Sequence, residues 1–229
     1  MRISFLHTIE GNKNVFEQAA KDLGLPIEYL HHEVRSDLRL SVDQAGTFTR
    51  ELKAQTNDCL LELAAGSDAV ILTCATLGPA VSDIEHPPVP IVRADAALAS
   101  AAASIGGKII VLCAAESAVE PTRSLFEQYA NKERASVSIN HVAQVWELFK
   151  SGDLDACLAA TGRAADEAYQ AGATVVAFAH PWMAPAARLV GKGRHPLDSA
   201  HTALQAVMQQ AAKPALDDRP GHGPRAPVR

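Results

Sequence analysis

Aromatic residues make up only 5% of the 229 residues, and there are only four cysteines. No two of the cysteines fall in a C-x-x-C pair or another short spacing, so neither a disulfide framework nor a thiolate zinc site is read from them. No apolar run approaches the roughly 18 residues of a membrane-spanning helix. There is no G-x-G-x-x-G after the first strand-like segment and no P-loop, which removes support for nucleotide binding. A G-x-S-x-G turn for Ser-His-Asp hydrolysis is also missing. Basic residues are outnumbered, 21 Lys and Arg against 26 Asp and Glu, for a net charge of -5. That balance argues against a nucleic-acid or anionic-membrane partner. The opening residues, Met1 to His7, are too short and too soon interrupted for a signal peptide, so the expected location is cytoplasmic.

What is present describes an ordinary globular chain with ample core: 48% hydrophobic and 21% charged residues. Strand-like runs at residues 3–7, 27–31, 69–73, 90–93, 109–113, 137–142 and 175–179 alternate with helical patterns. The helical patterns lie at 12–23, 47–65, 96–105, 119–131, 154–171 and 197–212. Such alternation implies α/β architecture with parallel sheets and right-handed crossovers. Residues 213–229 hold Pro214, Pro220, Pro224 and Pro227 with little apolar content and are expected to form a mobile tail.

The chain also repeats itself. Arg2-Ile-Ser-Phe-Leu-His7 leads to Phe16-Glu-Gln-Ala-Ala20, and Lys108-Ile-Ile-Val-Leu-Cys113 leads to Phe126-Glu-Gln-Tyr-Ala130. Ala65-Gly66 and the strand ending at Cys74 precede Pro79-Ala80; Ala171-Gly172 and the strand ending at His180 precede Pro185-Ala186. Both pairs are offset by about 106 residues. Two similar parallel-sheet α/β lobes related by pseudo-two-fold symmetry are therefore expected, with a cleft between them. Lobe 1 would span 1–94, completed by helix 197–212, and lobe 2 would span 95–196. Cys74 and the stretch Phe178 to Trp182 would line the cleft from opposite sides.

Cys74 is the most informative single residue. It follows a run that reads as a buried parallel strand and opens the loop Thr73-Cys74-Ala75-Thr76-Leu77-Gly78. Ligands of open α/β sheets sit at strand carboxyl ends, so a thiol there is placed for chemistry. Cys59 and Cys157 fall inside helical patterns, and Cys113 lies in a strand or at its end, where a thiol serves as a small buried hydrophobe.

With these features the chain resembles the aspartate/glutamate racemase superfamily, which includes glutamate, aspartate and hydantoin racemases, maleate isomerase and arylmalonate decarboxylase. The resemblance covers about residues 1–212 and rests on the two-lobe pattern, on Leu6-His7-Thr8 and on Thr73-Cys74-Ala75-Thr76, which looks like the first catalytic-cysteine loop. The second cysteine of the two-base racemases is missing from Phe178-Ala179-His180-Pro181-Trp182-Met183. His180 either matches the family's post-cysteine histidine, with Phe178 in the cysteine's place, or stands in the cysteine's place itself.

The resemblance implies acid–base chemistry without cofactor or metal at a carbon next to a carboxylate or carbonyl. Cys74 and His180 would be catalytic. His7, Thr8, Thr73, Ala75, Thr76, Gly78, Ser117 and Trp182 would bind a small carboxylic acid through hydroxyls, backbone N–H groups and an apolar wall. Racemisation, isomerisation and decarboxylation all remain open, and a homodimer is implied by relatives. The competing reading is a non-catalytic protein that binds a small carboxylate and has lost the second cysteine. His31 and His32 with Glu33 read as strand-end surface, because no third spaced metal ligand accompanies them.

Overall fold

The computed structural model describes residues 1–212, so the expected C-terminal tail lies outside the described residues. The first half contains β1 (Ile3–His7), α1 (Asn12–Asp22), β2 (Leu30–Val34), α2 (Ser36–Ala45), α3 (Arg50–Ala64), β3 (Ala69–Leu72), β4 (Ile91–Arg93) and α4 (Ala94–Ile105). The second contains β5 (Gly107–Cys113), α5 (Val119–Tyr129), β6 (Ala135–His141), α6 (Ala143–Ser151), α7 (Leu154–Gln170), β7 (Val175–Phe178), β8 (Leu197–Asp198) and α8 (Ser199–Ala212). Each half builds one parallel four-stranded sheet, ordered β2-β1-β3-β4 and β6-β5-β7-β8. The chain is thus an α/β protein of two like lobes.

The registers of the two sheets superimpose. Ile3 pairs with Ala69, and Ile109, 106 residues after Ile3, pairs with Val175, 106 residues after Ala69. Period-two alternation explains the core on both faces of each sheet. In β1, Ile3 and Phe5 face α1 with Phe16, Ala19 and Ala20, while Leu6 faces Leu38, Val42 and Leu60 of α2 and α3. In β5, Ile109 and Val111 join Phe126 of α5, while Ile110 and Leu112 join Val145, Cys157 and Ala165 of α6 and α7.

The last helix of each half crosses over. Leu98, Ala99 and Ala102 of α4 pack on Ile109, Val111 and Val175 of the second sheet. Ala200, Ala203, Leu204 and Val207 of α8 pack on Ile3, Phe5 and Ile71 of the first. Alanine dominates both helices, which lets them approach each other closely as well as the sheets.

Several elements differ from the sequence expectation. The segment expected as strand 27–31 opens with a 3-10 turn, Ile27–Tyr29, behind Pro26, and the strand begins at Leu30. The helix expected over 47–65 begins at Arg50, where the Thr49 side chain accepts from the Leu52 N–H as an N-cap. Helices α2 and α6 are additional. In α2, Leu38, Leu40 and Val42 alternate as a strand would, yet only Leu38 and Val42, one turn apart, are buried, and Leu40 is 56% exposed. The expected helix 197–212 starts as strand β8, whose Asp198 carboxylate caps α8 by accepting from the Ala200 and His201 N–H groups.

Candidate active site

Strands β3 and β7 carry the two chemical side chains to the same place. Each ends in a long 3-10 segment, Ala75–Asp83 and Pro181–Leu189, again 106 residues apart. Cys74 is the residue before the first segment and His180 the residue before the second. Thr73 N–H donates to Leu6 O, and Ala179 N–H donates to Leu112 O, so the strand ends are tied down identically. His180 therefore occupies the position in the second half that Cys74 occupies in the first.

Cys74 and His180 line one cavity of about 80 Å³ together with Thr8, Thr73, Ala75, Thr76, Ser117 and Trp182. It adjoins a larger cavity of about 650 Å³ walled by Val42, Leu98, Leu125 and Phe126, with Ala75, Thr76, Asp95, Ser117, Ala118 and Ala179 common to both. A groove of about 620 Å³ beside α4 and α8 holds neither a cysteine nor a histidine.

The two halves of the site are chemically unequal. On the Cys74 side, Ala75 and Thr76 open a helical segment, so their N–H groups point outward without intrahelical partners. On the other side Pro181 stands where Ala75 would, which removes one donor. Trp182 is buried, with its ring stacked 5.2 Å from His180 and 4.1 Å from Phe149. It holds the imidazole plane and forms the apolar wall. Burial, with a smaller contribution from the Arg39 charge, lowers the His180 pKa to about 4, so the ring is neutral near pH 7.

Two expected binding residues lie elsewhere. Gly78 does not line the cavity; a Cβ there would come within 2.6 Å of the Arg93 guanidinium, so the glycine makes room for that group. Arg93 in turn holds Asp95 through Nε and Nη2 at 3.1 and 2.7 Å. His7 is fully buried behind the cavity wall rather than in it. Its Nδ1 lies 2.9 Å from Thr73 Oγ1, and its Nε2 lies 2.9 Å from His32 Nδ1. The Thr73 hydroxyl donates to Leu6 O, so its oxygen accepts from His7 Nδ1–H; His7 Nε2 then accepts from His32 Nδ1–H. His32 is thus part of a buried chain, stacked 4.6 Å from Phe5, and not the strand-end surface expected of it. Burial, aided by His32 and Lys13, lowers the His7 pKa to about 3.

Among the lining residues that sequence reasoning missed are Asn12, Arg39, Trp146 and Ser199. Arg39, from the unforeseen helix α2, brings a cation to the cavity and is loosely paired with Asp43 at 3.7 Å. Asn12 and Ser199, the first residues of α1 and α8, are each 2% exposed, and Asn12 Oδ1 and Ser199 Oγ have no hydrogen-bond partner. Buried polar atoms without partners are rare and mark places where a ligand completes the bonding. The one sequence signal was Asp198, which fixes Ser199 at a helix start. Among the described residues no three His, Cys, Asp or Glu side chains cluster as metal ligands do.

The other three thiols are set apart from Cys74. Burial raises Cys113 to about 11 and pushes Cys59 and Cys157 up as well. Iodoacetamide near neutral pH is therefore expected to label Cys74, which is partly exposed in the cavity, well before the others, as read by peptide mass spectrometry. Equal labelling of all four, or selective protection of Cys74, would contradict this placement.

No protein-family model matches the chain, and no curated protein matches it. Solved structures do. Allantoin racemase from Pseudomonas fluorescens aligns with TM-score 0.62 at 18% identity, covering 92% of this chain and 91% of that one. Picrophilus torridus aspartate racemase aligns with TM-score 0.66 at 12% identity, covering 92% and 93%. Glutamate racemase from Thermus thermophilus, in complex with β-chloro-D-alanine, aligns with TM-score 0.60 at 17% identity, covering 91% and 79%. The chain has the two-lobe fold of these racemases.

Proposed function

We propose that this protein is a cofactor-independent acid–base enzyme, isomerase-like or decarboxylase-like, acting at a carbon next to a carboxylate of a small acid, with Cys74 and His180 lining the reaction site. The observation that carries the reading is the placement of these two side chains at equivalent strand ends, lining one cavity. Removing a proton α to a carboxylate needs a base and donors for the enediolate. The Cys74 thiolate supplies the first, and the Ala75 and Thr76 N–H groups with the Thr76 hydroxyl supply the second. Asn12 and Ser199 are the natural partners for a polar substituent of the acid, since each gains its missing hydrogen bond when the cavity is filled.

The test is a screen of small carboxylic acids for α-deuterium incorporation in D2O, with Cys74→Ser as control. Exchange that depends on the thiol supports the reading. Binding of acids without exchange would make the protein a carboxylate binder instead. For any acid that exchanges, Asn12→Leu is expected to raise KM roughly tenfold, the effect of one lost hydrogen bond plus an apolar group in a polar contact. An unchanged KM would remove Asn12 from the binding surface.

A further inference from the structure

His180 is held by the end of β5 and the residues that follow it. Its Nε2 accepts a hydrogen bond from the Ala115 N–H at 3.3 Å. The Cys113 sulfur lies 3.7 Å from the same nitrogen and 3.4 Å from Ala115 O. Cys113 holds the place in β5 that His7 holds in β1, so each lobe keeps a hydrogen-bonding side chain behind its chemical strand end. Among the described residues, Nδ1 of His180 has no hydrogen-bond partner, while the residue itself lines the cavity.

A backbone N–H can only donate. A ring nitrogen that accepts from it carries a lone pair, so in a neutral imidazole the proton sits on the other nitrogen. The thiol behind the ring stays protonated, because burial raises its pKa, and a protonated thiol does not oblige Nε2 to carry hydrogen. Trp182, stacked nearly parallel to the ring, opposes a flip that would exchange the nitrogens.

We infer that Ala115 N–H and Cys113 lock His180 as the Nδ1–H tautomer, so that it donates to the substrate and Cys74 is the sole base. This rests on the proposed function for its chemistry, though not for the tautomer itself. The Cys74 thiolate takes the α-proton, and the electron pair of the broken C–H bond moves into the carboxylate, giving an enediolate. The Nδ1–H of His180 donates a hydrogen bond to the oxygen on which charge grows. The Cys74 thiol exchanges its proton with solvent and returns one to the same face of the carbon. The bond broken and the bond formed lie on one side, so the centre exchanges its hydrogen and keeps its configuration. Cys113 is a positioning residue in this scheme; it acts through His180.

Nitrogen-15 NMR of the histidine side chains in the whole protein near pH 7 tests the tautomer directly, with the His180 signals assigned by their loss in His180→Gln. A pyrrole-type Nδ1 and a pyridine-type Nε2 are expected; the reverse pattern, or a charged ring, would overturn the inference. This readout holds whether or not any acid is turned over, so its failure is distinct from failure of the proposed function. For an acid that exchanges, deuterium should enter much faster than optical activity is lost. Equal rates would overturn the single-base scheme. Cys113→Val should lower kcat roughly 10- to 100-fold through a loosened ring, with KM little changed and much of the loss restored in Cys113→Ser. A Cys113→Val enzyme with full kcat would remove Cys113 from the positioning role.

Discussion

Replacing Cys74 by alanine is expected to lower the rate of α-deuterium exchange by roughly 10³-fold or more, whichever small acid proves to be the substrate. No other lining group can take over. The Thr73 hydroxyl is already donated to Leu6 O. Asp95 is held in an ion pair by Arg93. The accepting nitrogen of His180 is already engaged by the Ala115 N–H. Replacing His180 by phenylalanine removes one donor to the developing charge and should cost less, roughly 10²-fold. The order of the two effects is the informative quantity. If His180→Phe cost more than Cys74→Ala in the same exchange assay, the base would have been assigned to the wrong lobe.

The second large effect concerns acid. His7 and His180 are both neutral in the folded protein, with pKa values lowered to about 3 and about 4 from 6.5, chiefly by burial. In the unfolded chain each takes up a proton near pH 6.5. A histidine whose folded pKa is depressed contributes stability above its unfolded pKa and loses it as pH falls toward the folded value. At pH 4.5, about two units below the unfolded pKa, each costs roughly 2.6 kcal/mol, and the pair roughly 5 kcal/mol. That is a large share of the total stability of an ordinary domain. His201 works in the opposite sense, because its hydrogen bond to Asp198, and secondarily Asp22, raises its pKa; its contribution is present in acid and fades above neutrality. Stability should therefore peak near neutral pH and fall steeply between pH 6.5 and 4.5, by roughly 10–15 °C in Tm. Urea titrations across this range should show a slope of at least two protons per molecule, His32 adding to it because burial lowers its pKa as well, and a smaller slope in His7→Gln. A flat profile over this window would contradict the buried His7 chain.

Much of the fold was legible because its strands are unbroken apolar runs. Ala69 to Leu72 and Val175 to Phe178 read as buried parallel strands, and their common distance to Pro-Ala exposed the repeat. Cys74 stood out as a candidate for the same reason, since a thiol after such a run has few structural explanations. Helices α2 and α6 escaped because their buried faces are narrow; α6 buries Val145 alone among its nine residues. The surroundings of Gly78 and His7 were not legible because both depend on what packs behind the loop, the Arg93 guanidinium and His32, which lie 15 and 25 residues away in sequence. Asn12 and Ser199 carry no sequence signal of their own, since a missing partner is a property of the packed molecule. The tie from Ala115 to His180 spans 65 residues and passes through a backbone N–H, which no residue identity announces.

The crossed-over helices α4 and α8 bear on how such a molecule could have arisen. Neither half, cut after Ile105, owns a complete interior: the first sheet would lack Leu204 and Val207, and the second would lack Leu98 and Ala102. A half-length ancestor with this topology could not have stood alone as a monomer. Two copies would have had to lend each other their final helices, and fusion of the genes would have turned a swapped pair into one chain. In a single chain the two strand ends are free to differ, one carrying a thiol and the other an imidazole, as a symmetric pair of identical subunits cannot.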